Sequence, residues 1–467
     1  MMKRLIVIAL IASQITGCMV GPKYRRPGVT SPDVFRADPR SQPDASSLSG
    51  QKWSEVFNDP QLQTLIRAAL ERNYDLRLAV ARISQAEASL GITRADQYPT
   101  FDTAGGITGR RPSTRGLTAL PSGSGAQRAA GSLTFGLLSF EADLWGRLRR
   151  ATEAARAELL ATEEARRAVI VSLVGTVAAA YFDLRELDLE LEIARRTLAL
   201  RQESLRIIKL RKDAGIATRL ELRQAEQLAL TTAAAIPNLE QLIEQQENFI
   251  NLLLGQNPGP VARGKMLVEQ ETPAFVPPGL PSALLERRPD IRGAEQELIA
   301  ANADIGVAKA AYFPQISLTG SAGGESAALV NLFSGPARIW SFVGQAAQPI
   351  FNAGRLKSRV KLAEAGRQFA LTTYEQTIRT AFREVSDALI ANTKVKEIRA
   401  QREALAATLR DRAHLSDLRY RGGVASYLDK LDAERDLFAA ELDLARIRRD
   451  ELLTVVQLYR ALGGGWE

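Results

Sequence analysis

Apolar residues recur at alternating spacings of three and four along two long stretches of this chain, Arg147–Ala214 and Arg355–Arg421. One clear run of these positions is Leu184, Leu187, Leu191, Ala194 and Leu198. This spacing is typical of the seam of a coiled coil. Both stretches lack proline, and each contains a single glycine. The pattern predicts two helices of about 65 residues, each about 100 Å long, that turn and return through a helix of about 35 residues.

Runs with a period of two come before each long stretch. In Gln315–Ala322 the apolar residues fall on one face, and Ser317, Thr319 and Ser321 fall on the other. The other runs that we interpret as strands are Phe101–Gly109, Leu133–Ala142 and Trp340–Gln345. An amphipathic helix is predicted before each pair, at about 62–95 and 283–311. The strands are close to the length of about 9–11 residues that spans a membrane, with aromatic residues beside them.

Four strands are too few to close a barrel, and a sheet with open edges is not tolerated in lipid. A membrane-spanning sheet of this size therefore requires several chains, and three chains would supply twelve strands. The alternative is an ordinary soluble sheet packed by the same aromatic residues.

The two halves of the chain repeat each other. The segment that starts at Leu285 matches the one at Leu70, 215 positions earlier, and the match continues to Pro99 and Pro314. Gly215-Ile-Ala217 matches Gly423-Val-Ala425 at an offset of 208. The change of offset places about seven extra residues in the Gly/Ser-rich stretch 111–131 of the first copy. Because the glycine and proline positions match in order, the similarity is an internal duplication rather than a chance likeness of two Ala-rich helices.

The first 18 residues resemble a bacterial lipoprotein signal. Lys3 and Arg4 precede an apolar run that is too short to span a bilayer, and Ile15-Thr-Gly-Cys18 resembles a lipobox. The resemblance implies cleavage before Cys18, lipidation of that cysteine, and outer membrane sorting, because Met19 is not the aspartate of the usual inner membrane retention signal. An ordinary signal peptide with a chance cysteine is the alternative.

We predict six segments from these patterns. They are a lipoprotein signal peptide (1–17), an N-terminal lipidated extended segment (18–61), repeat 1 (62–255, strand pair about 98–143), a Pro-rich linker (256–281), repeat 2 (282–463, strand pair about 313–349) and a C-terminal tail (464–467).

The composition excludes disulfide bonds and several kinds of metal site. The chain of 467 residues has one Cys and one His, so neither an internal disulfide nor a zinc or iron–sulfur site can form within it. We expect no cofactor, no metal and no enzyme activity, and His414 is favoured as a surface or inter-helix residue over a pH sensor. The net charge of +8 is interspersed with acidic residues, which favours a solvated helix surface over nucleic-acid binding.

Several motifs together resemble the outer membrane factor, or outer membrane efflux protein, family, in its NodT/OprM-like lipoprotein branch related to TolC. They are Cys18–Tyr24 with Arg26-Pro27, Trp53 before Phe57–Leu62, Asp143–Arg147, Arg287–Arg292, Tyr312–Pro314 and Pro349–Arg355. The resemblance implies a mainly α fold of tandem-duplicated long helical hairpins that form an α-barrel, with four strands per chain and a 12-stranded transmembrane β-barrel in a homotrimer. It implies an outer membrane channel-tunnel of a tripartite efflux pump, lipid-anchored, with its α-barrel in the periplasm. The implied partners are a periplasmic adaptor (membrane fusion) protein and an inner membrane RND-type transporter.

The same resemblance assigns roles to the two helix tips. Gly215, Ile216 and Ala217, with Gly423, Val424 and Ala425, match tips that dock the adaptor, although a helix–helix turn alone explains the same residues. Asp429 and Asp432 match gate aspartates, and Tyr420 and Arg421 are expected to tie neighbouring hairpins shut.

A local alternative exists for one of these aspartates. Ser426 with Asp429, and Thr218 with Glu221, both fit a capping box, in which the carboxylate serves the start of the return helix. Asp432 has no such local role and is the better gate candidate. Two functions compete with efflux of small molecules, namely an outer membrane duct for protein secretion and a coiled-coil envelope lipoprotein without a channel.

Overall fold

The computed structural model describes residues 19–36, 52–110, 128–271 and 281–464. Its helices are α1 (Trp53–Val56), α2 (Pro60–Arg72), α3 (Tyr74–Ala95), α4 (Arg147–Asp213), α5 (Arg219–Leu253), α6 (Pro281–Arg287), α7 (Pro289–Ala310), α8 (Arg355–Arg421) and α9 (Tyr427–Ala461). Its strands are β1 (Thr100–Arg110), β2 (Arg128–Glu141), β3 (Gln315–Ser326) and β4 (Arg338–Ala347).

The duplication is visible in the lengths of the elements. The two long helices, α4 and α8, have 67 residues each, and the two return helices, α5 and α9, have 35 residues each. The chain forms two compact units, and each contains segments of both repeats. One unit contains the four strands and the helix segments that join them, and the other contains α2, most of the long hairpins and the described part of the linker.

Each predicted opening helix is in fact two helices. The first breaks at Asn73 and the second at Arg288, which are equivalent positions of the duplication. The Asn73 side chain donates to the Leu253 carbonyl (2.9 Å), and Arg288 donates to the Ala461 carbonyl (2.8 Å), so each break is tied to the end of its own repeat's return helix. The prediction of a continuous helix was wrong because it overlooked two local signals. The Asn73 side chain accepts from the Leu76 N–H (3.1 Å) at the start of α3, and Arg288 directly precedes Pro289, which disfavours helical backbone at Arg288.

The four strands form one antiparallel sheet in the order β1-β2-β3-β4. The pairs within each repeat agree with the sequence prediction, and β2 also pairs with β3 across the two repeats, with Phe135 opposite Ala322. The two faces differ in chemistry. One face presents Phe101, Ile107, Leu133, Phe135, Leu318, Trp340 and Phe342. The other face is mainly polar and presents Asp102, Thr108, Ser132, Thr134, Ser321, Ser341 and Gln345, together with the apolar Ile339 and Val343.

The main apolar core lies where α2, α4, α9 and the linker meet. Its fully buried side chains include Leu62, Ile66, Tyr181, Leu184 and Tyr459. The linker was predicted to be extended, but its described part also contributes Val261 and Leu267 to this core and contains a 3₁₀ turn at Leu267–Glu269.

One stretch of α4 is long and apolar enough to cross a membrane by composition alone. More than half of that stretch is buried inside the protein, including Val174, Val177 and Ala178, which have no exposed surface. Burial of this kind is typical of a helix in a protein core. The apolar residues of this stretch of α4 are therefore explained by packing inside the protein.

Within the second unit, Asp59 is the polar centre of the core. Its side chain is 1% exposed and caps α2 by accepting from the Gln61 and Leu62 amides. Its second oxygen accepts from the Tyr181 hydroxyl (2.8 Å), the Gln270 amide (2.8 Å) and the Lys265 backbone N–H (3.0 Å). A single carboxylate therefore joins the entry helix, the first long helix and the linker.

Candidate functional site

The two helix tips have the same backbone geometry. Gly215 and Gly423 adopt φ of +76° and +75°, a conformation that glycine tolerates and other residues rarely adopt. The next amide in each tip donates back to the long helix, from Ile216 to the Arg211 carbonyl (2.8 Å) and from Val424 to the Arg419 carbonyl (3.0 Å). These are the bonds of a Schellman-type helix end.

This geometry presents an apolar side chain at the end of each hairpin. Ile216 is 67% exposed and Val424 is 68% exposed, whereas Ala217 and Ala425 are half-buried. An exposed aliphatic residue on a rigid turn is a suitable contact for another protein, since it loses little conformational freedom on binding.

Both return helices begin with a capping box. Thr218 accepts from the Glu221 amide (3.1 Å) while Glu221 accepts from the Thr218 amide (2.6 Å). Ser426 and Asp429 form the same reciprocal pair at 3.2 and 3.1 Å. Asp429 thus has a structural role at the start of α9, and Glu221 has the equivalent role at the start of α5.

Tyr420 joins the two hairpins of one chain. Its hydroxyl accepts from Arg211 Nη1 (3.0 Å), and the Arg211 guanidinium lies 5.1 Å from the centre of its ring. Its ring also packs against Tyr427 (5.2 Å between centroids) in a small core with Ile208 and Leu431. Burial raises the pKa of Tyr420, and burial raises the pKa of Tyr427 to about 12, so both phenols are neutral at physiological pH.

Within one chain, Arg421 pairs with a carboxylate of its own helix. Its Nε lies 2.8 Å from Asp417, and Lys430 of α9 lies 2.7 Å from the other oxygen of Asp417. Burial opposes ionisation of Asp417, but the contact and charge of Lys430, with Arg421, lower its pKa below the ordinary value. Asp417, Lys430 and Arg211 were not recognised from sequence, because each acts through a contact that only the folded hairpins create.

Asp432 lies one turn after Asp429 on α9 and is partly exposed. It pairs with Arg435 (3.1 Å), which also contacts Asp436 (3.3 Å). Of the two predicted gate aspartates, Asp429 is therefore held by its cap and Asp432 by a half-exposed ion pair. A surface pair of this kind contributes little stability.

A ladder of ion pairs joins α4 of the first repeat to α9 of the second. Arg196 contacts Glu441 (2.7 Å), Arg446 contacts Glu190 (2.8 Å), and Arg449 contacts both Glu186 (3.6 Å) and Asp183 (3.5 Å). Glu186 and Glu190 are buried and one turn apart on α4. Burial, followed by the charge of Glu190, raises the pKa of Glu186 to about 8.

Replacing Glu186 by Gln is expected to remove a pH dependence of stability. The folded state keeps a proton on Glu186 between its ordinary pKa of 4.5 and about 8, so the stability of the parent falls as pH rises through this window. A neutral Gln has no proton to lose. The apparent melting temperature, measured from pH 6 to 9, should therefore fall less in E186Q than in the parent. The exposed Glu192 on the same helix provides the control E192Q, which should keep the parent slope; an unchanged slope in E186Q would contradict the assignment.

Two other predicted positions remain, Cys18 and His414. Cys18 lies outside the described residues. His414 is exposed on α8. Within the described ranges no group of three or more His, Cys, Asp and Glu residues is arranged to hold a metal ion.

Comparisons with known proteins agree with this fold. The family model for outer membrane efflux proteins matches residues 65–256 and 280–464. The solvent efflux pump outer membrane protein SrpC of Pseudomonas putida is 40% identical over 99% of this chain and 98% of its own length. The cation efflux system protein CusC of Escherichia coli O6:H1 is 35% identical over 98% of each. The MtrE outer membrane channel of Neisseria gonorrhoeae superimposes with a TM-score of 0.87 at 32% identity, covering 96% of this chain and 99% of MtrE.

The duplicated hairpins, the four-stranded sheet and these matches define an outer membrane channel component. The chain belongs to the outer membrane efflux protein family. It functions in the outer membrane as the channel of an efflux pump and is a transport duct rather than a member of an enzyme family.

Proposed function

We propose that three copies of this chain form one channel-tunnel through which an inner membrane transporter expels small molecules. The main support for this proposal is the four-stranded sheet. Its edges, β1 and β4, have no further strand partner among the described residues, and unpaired edges are not tolerated in lipid. Pairing β1 of one chain with β4 of the next would close twelve strands, with the aromatic face toward lipid and the Ser/Thr face toward the lumen.

The helix tips are the proposed contact with a periplasmic adaptor. The exposed Ile216 and Val424 lie on turns that capping boxes and helix-end bonds hold in place. Two similar tips per chain would give a trimer six docking positions, and the apolar contact would couple the channel to an adaptor and, through it, to an RND-type transporter.

The same end of the hairpins is the proposed gate. Three copies of α9 around one axis would bring Asp429 and Asp432 of each chain together, where like charges repel and attract cations. We propose that Asp432 contributes to this ring directly and that Asp429 does so in addition to its capping role.

Removing both charges is expected to change ion selectivity without unfolding the tip. In the double variant D429N/D432N, the amide oxygen at position 429 can still accept from the Ser426 backbone N–H, because an uncharged amide can serve at the third helical position of a capping box. Cation over anion selectivity, measured as reversal potential under a salt gradient, should fall severalfold. The control E221Q removes the equivalent carboxylate of the first tip and should leave selectivity unchanged; equal effects of both variants would contradict the gate assignment.

The relatives do not fix the substrate. One is named for solvent efflux and another for cation efflux, at 40% and 35% identity over nearly the whole chain. We infer a duct whose selectivity is broad, with substrate choice made by the adaptor and transporter. Efflux is favoured over protein secretion because the relatives reported above are efflux components.

Lipidation of Cys18 is proposed on the sequence pattern that precedes it. C18S should abolish incorporation of radiolabelled palmitate, whereas the parent should be labelled. Several acyl chains would add a stable membrane anchor to the barrel. Palmitate labelling that persists in C18S would refute the assignment.

A further inference from the structure

The loop between β3 and β4 folds back over the sheet. It contains two 3₁₀ turns, Leu329–Asn331 and Gly335–Ala337, and is closed by backbone bonds such as Leu332 N–H to the Leu329 carbonyl (3.1 Å). The loop touches strands at two glycines. A Cβ at Gly131 would collide with the Leu329 side chain, and a Cβ at Gly324 would collide with the Leu332 carbonyl.

Strand register shows which face the loop covers. Gly131 lies opposite Ile107 and shares its face with Leu133 and Phe135, which is the apolar face of the sheet. Gly324 lies opposite Leu133 and so belongs to the same face. The loop is therefore on the side that the proposed channel turns toward lipid, not over the lumen.

The loop and the strands border a shallow, open groove of about 520 Å³, in which the side chains of Ile107, Leu133, Leu329 and Leu332 are apolar. Its lining is Gly105, Gly106, Ile107, Gly131, Ser132, Leu133, Leu329 and Leu332. Three of these residues are glycines, so part of the floor is backbone without side chains. Val330 (89% exposed) and Phe333 (79% exposed) belong to the same loop but do not line the groove.

The groove lies at one end of the strands. The helices α3, α4, α7 and α8 join the sheet at the opposite end, while the loop connects the strands at the hairpin end. With the helices in the periplasm, the hairpin end faces the outer leaflet. Arg338, the first residue of β4, is exposed and pairs with Gly324 in the sheet, so it lies on the same face beside the loop.

We propose that this groove binds an acyl chain of an outer-leaflet glycolipid, with Arg338 placed to contact a phosphate of its headgroup. The apolar lining suits a hydrocarbon chain, and a cation at the interface suits an anionic headgroup. Bound lipid would fix the loop against the outside of the sheet. The inference rests on the proposed orientation of the sheet in the membrane.

Native mass spectrometry of the detergent-purified full chain with hexa-acylated lipid A tests this site. The variant L329S/L332S changes two groove walls, and its matched control V330S/F333S changes two exposed residues of the same loop. The parent and the control should each retain lipid A at a ratio approaching one per chain, and L329S/L332S should retain at least fivefold less; a parent without bound lipid A would contradict the site. If L329S/L332S fails to assemble, I107S can replace it, because Ile107 lines the groove and is exposed. I107S should show the same loss of lipid A binding.

The outcomes that overturn the proposal are distinct. Equal loss in both double variants would make the loop a general lipid contact without a groove site. If the parent retained dioleoylphosphatidylethanolamine as well as it retains lipid A, the glycolipid assignment would be wrong. It would also be wrong if R338Q kept the parent's preference for lipid A over dioleoylphosphatidylethanolamine. The same spectra report chain number, so a monomeric or dimeric protein would contradict the proposed trimer while the lipid count per chain still decided the groove.

Discussion

Replacing Arg211 by Gln is expected to make the channel leak. Arg211 of the first hairpin donates to the Tyr420 hydroxyl of the second and lies over its ring, so it ties the hairpins together beside the tips. A hydrogen bond from a charged group contributes about 1.5–3 kcal/mol. If the closed state alone keeps this bond, a loss of about 2 kcal/mol would raise the ratio of open to closed channels about thirtyfold.

The leak is measurable as susceptibility to vancomycin in cells that lack other outer membrane channels of this family. R211Q and Y420F should both lower the inhibitory concentration severalfold, because each removes one side of the same bond. Arg206 offers a matched control, since it is exposed on the same helix and pairs with Glu203 of its own helix. R206Q should behave as the parent; identical susceptibility of R206Q and R211Q would show that the bond to Tyr420 does not hold the gate.

Replacing Asp59 by Ala is expected to be the most destabilising single change in the core. Five donors lose their acceptor, and three of them, from Tyr181, Gln270 and Lys265, join different segments. Removing one member of a buried charged network costs about 3–5 kcal/mol. The apparent melting temperature at a fixed heating rate should fall by roughly 5 °C or more.

The pH dependence of the Asp59 contribution has a definite sign. Burial would raise the pKa of Asp59, but hydrogen bonds from Gln270, Tyr181, Gln61 and Leu62 lower it below 3.8 overall. Its stabilisation is therefore present above the ordinary pKa and is lost only as pH falls through the lower folded value. D59A should consequently be less stable than the parent at pH 5 as well as at pH 8. The exposed Asp75 gives the control D75A, and a D59A melting temperature equal to that of D75A would contradict the role of the network.

The local features were predictable from sequence because their causes are local. Long helices follow from heptad spacing without proline, and the tips follow from Gly215 and Gly423, whose positive φ ends each helix in the structure. The capping boxes also follow from residues three positions apart.

The contacts that join distant segments were not predictable in the same way. The bond from Asn73 to the Leu253 carbonyl spans 180 residues, and the bond from Arg211 to Tyr420 spans 209 residues. The pairing of Arg421 with Asp417, four residues earlier on its own helix, was not predicted, while the expected role of Arg421 between neighbouring hairpins stays a prediction. Pairing of β2 with β3 also went unrecognised, since repetition indicates pairs within each copy and not between copies.

Planar bilayer recording of the purified full chain tests the central claim most directly. If three chains close one barrel, insertion should give discrete conductance steps of uniform size, and heat-modifiable trimers should be present in the same sample. D429N/D432N should alter the ion selectivity of these steps, which links the conductance to the helix tips. Trimers that insert without any conductance, or conductance from a chain that remains monomeric, would contradict the channel described above.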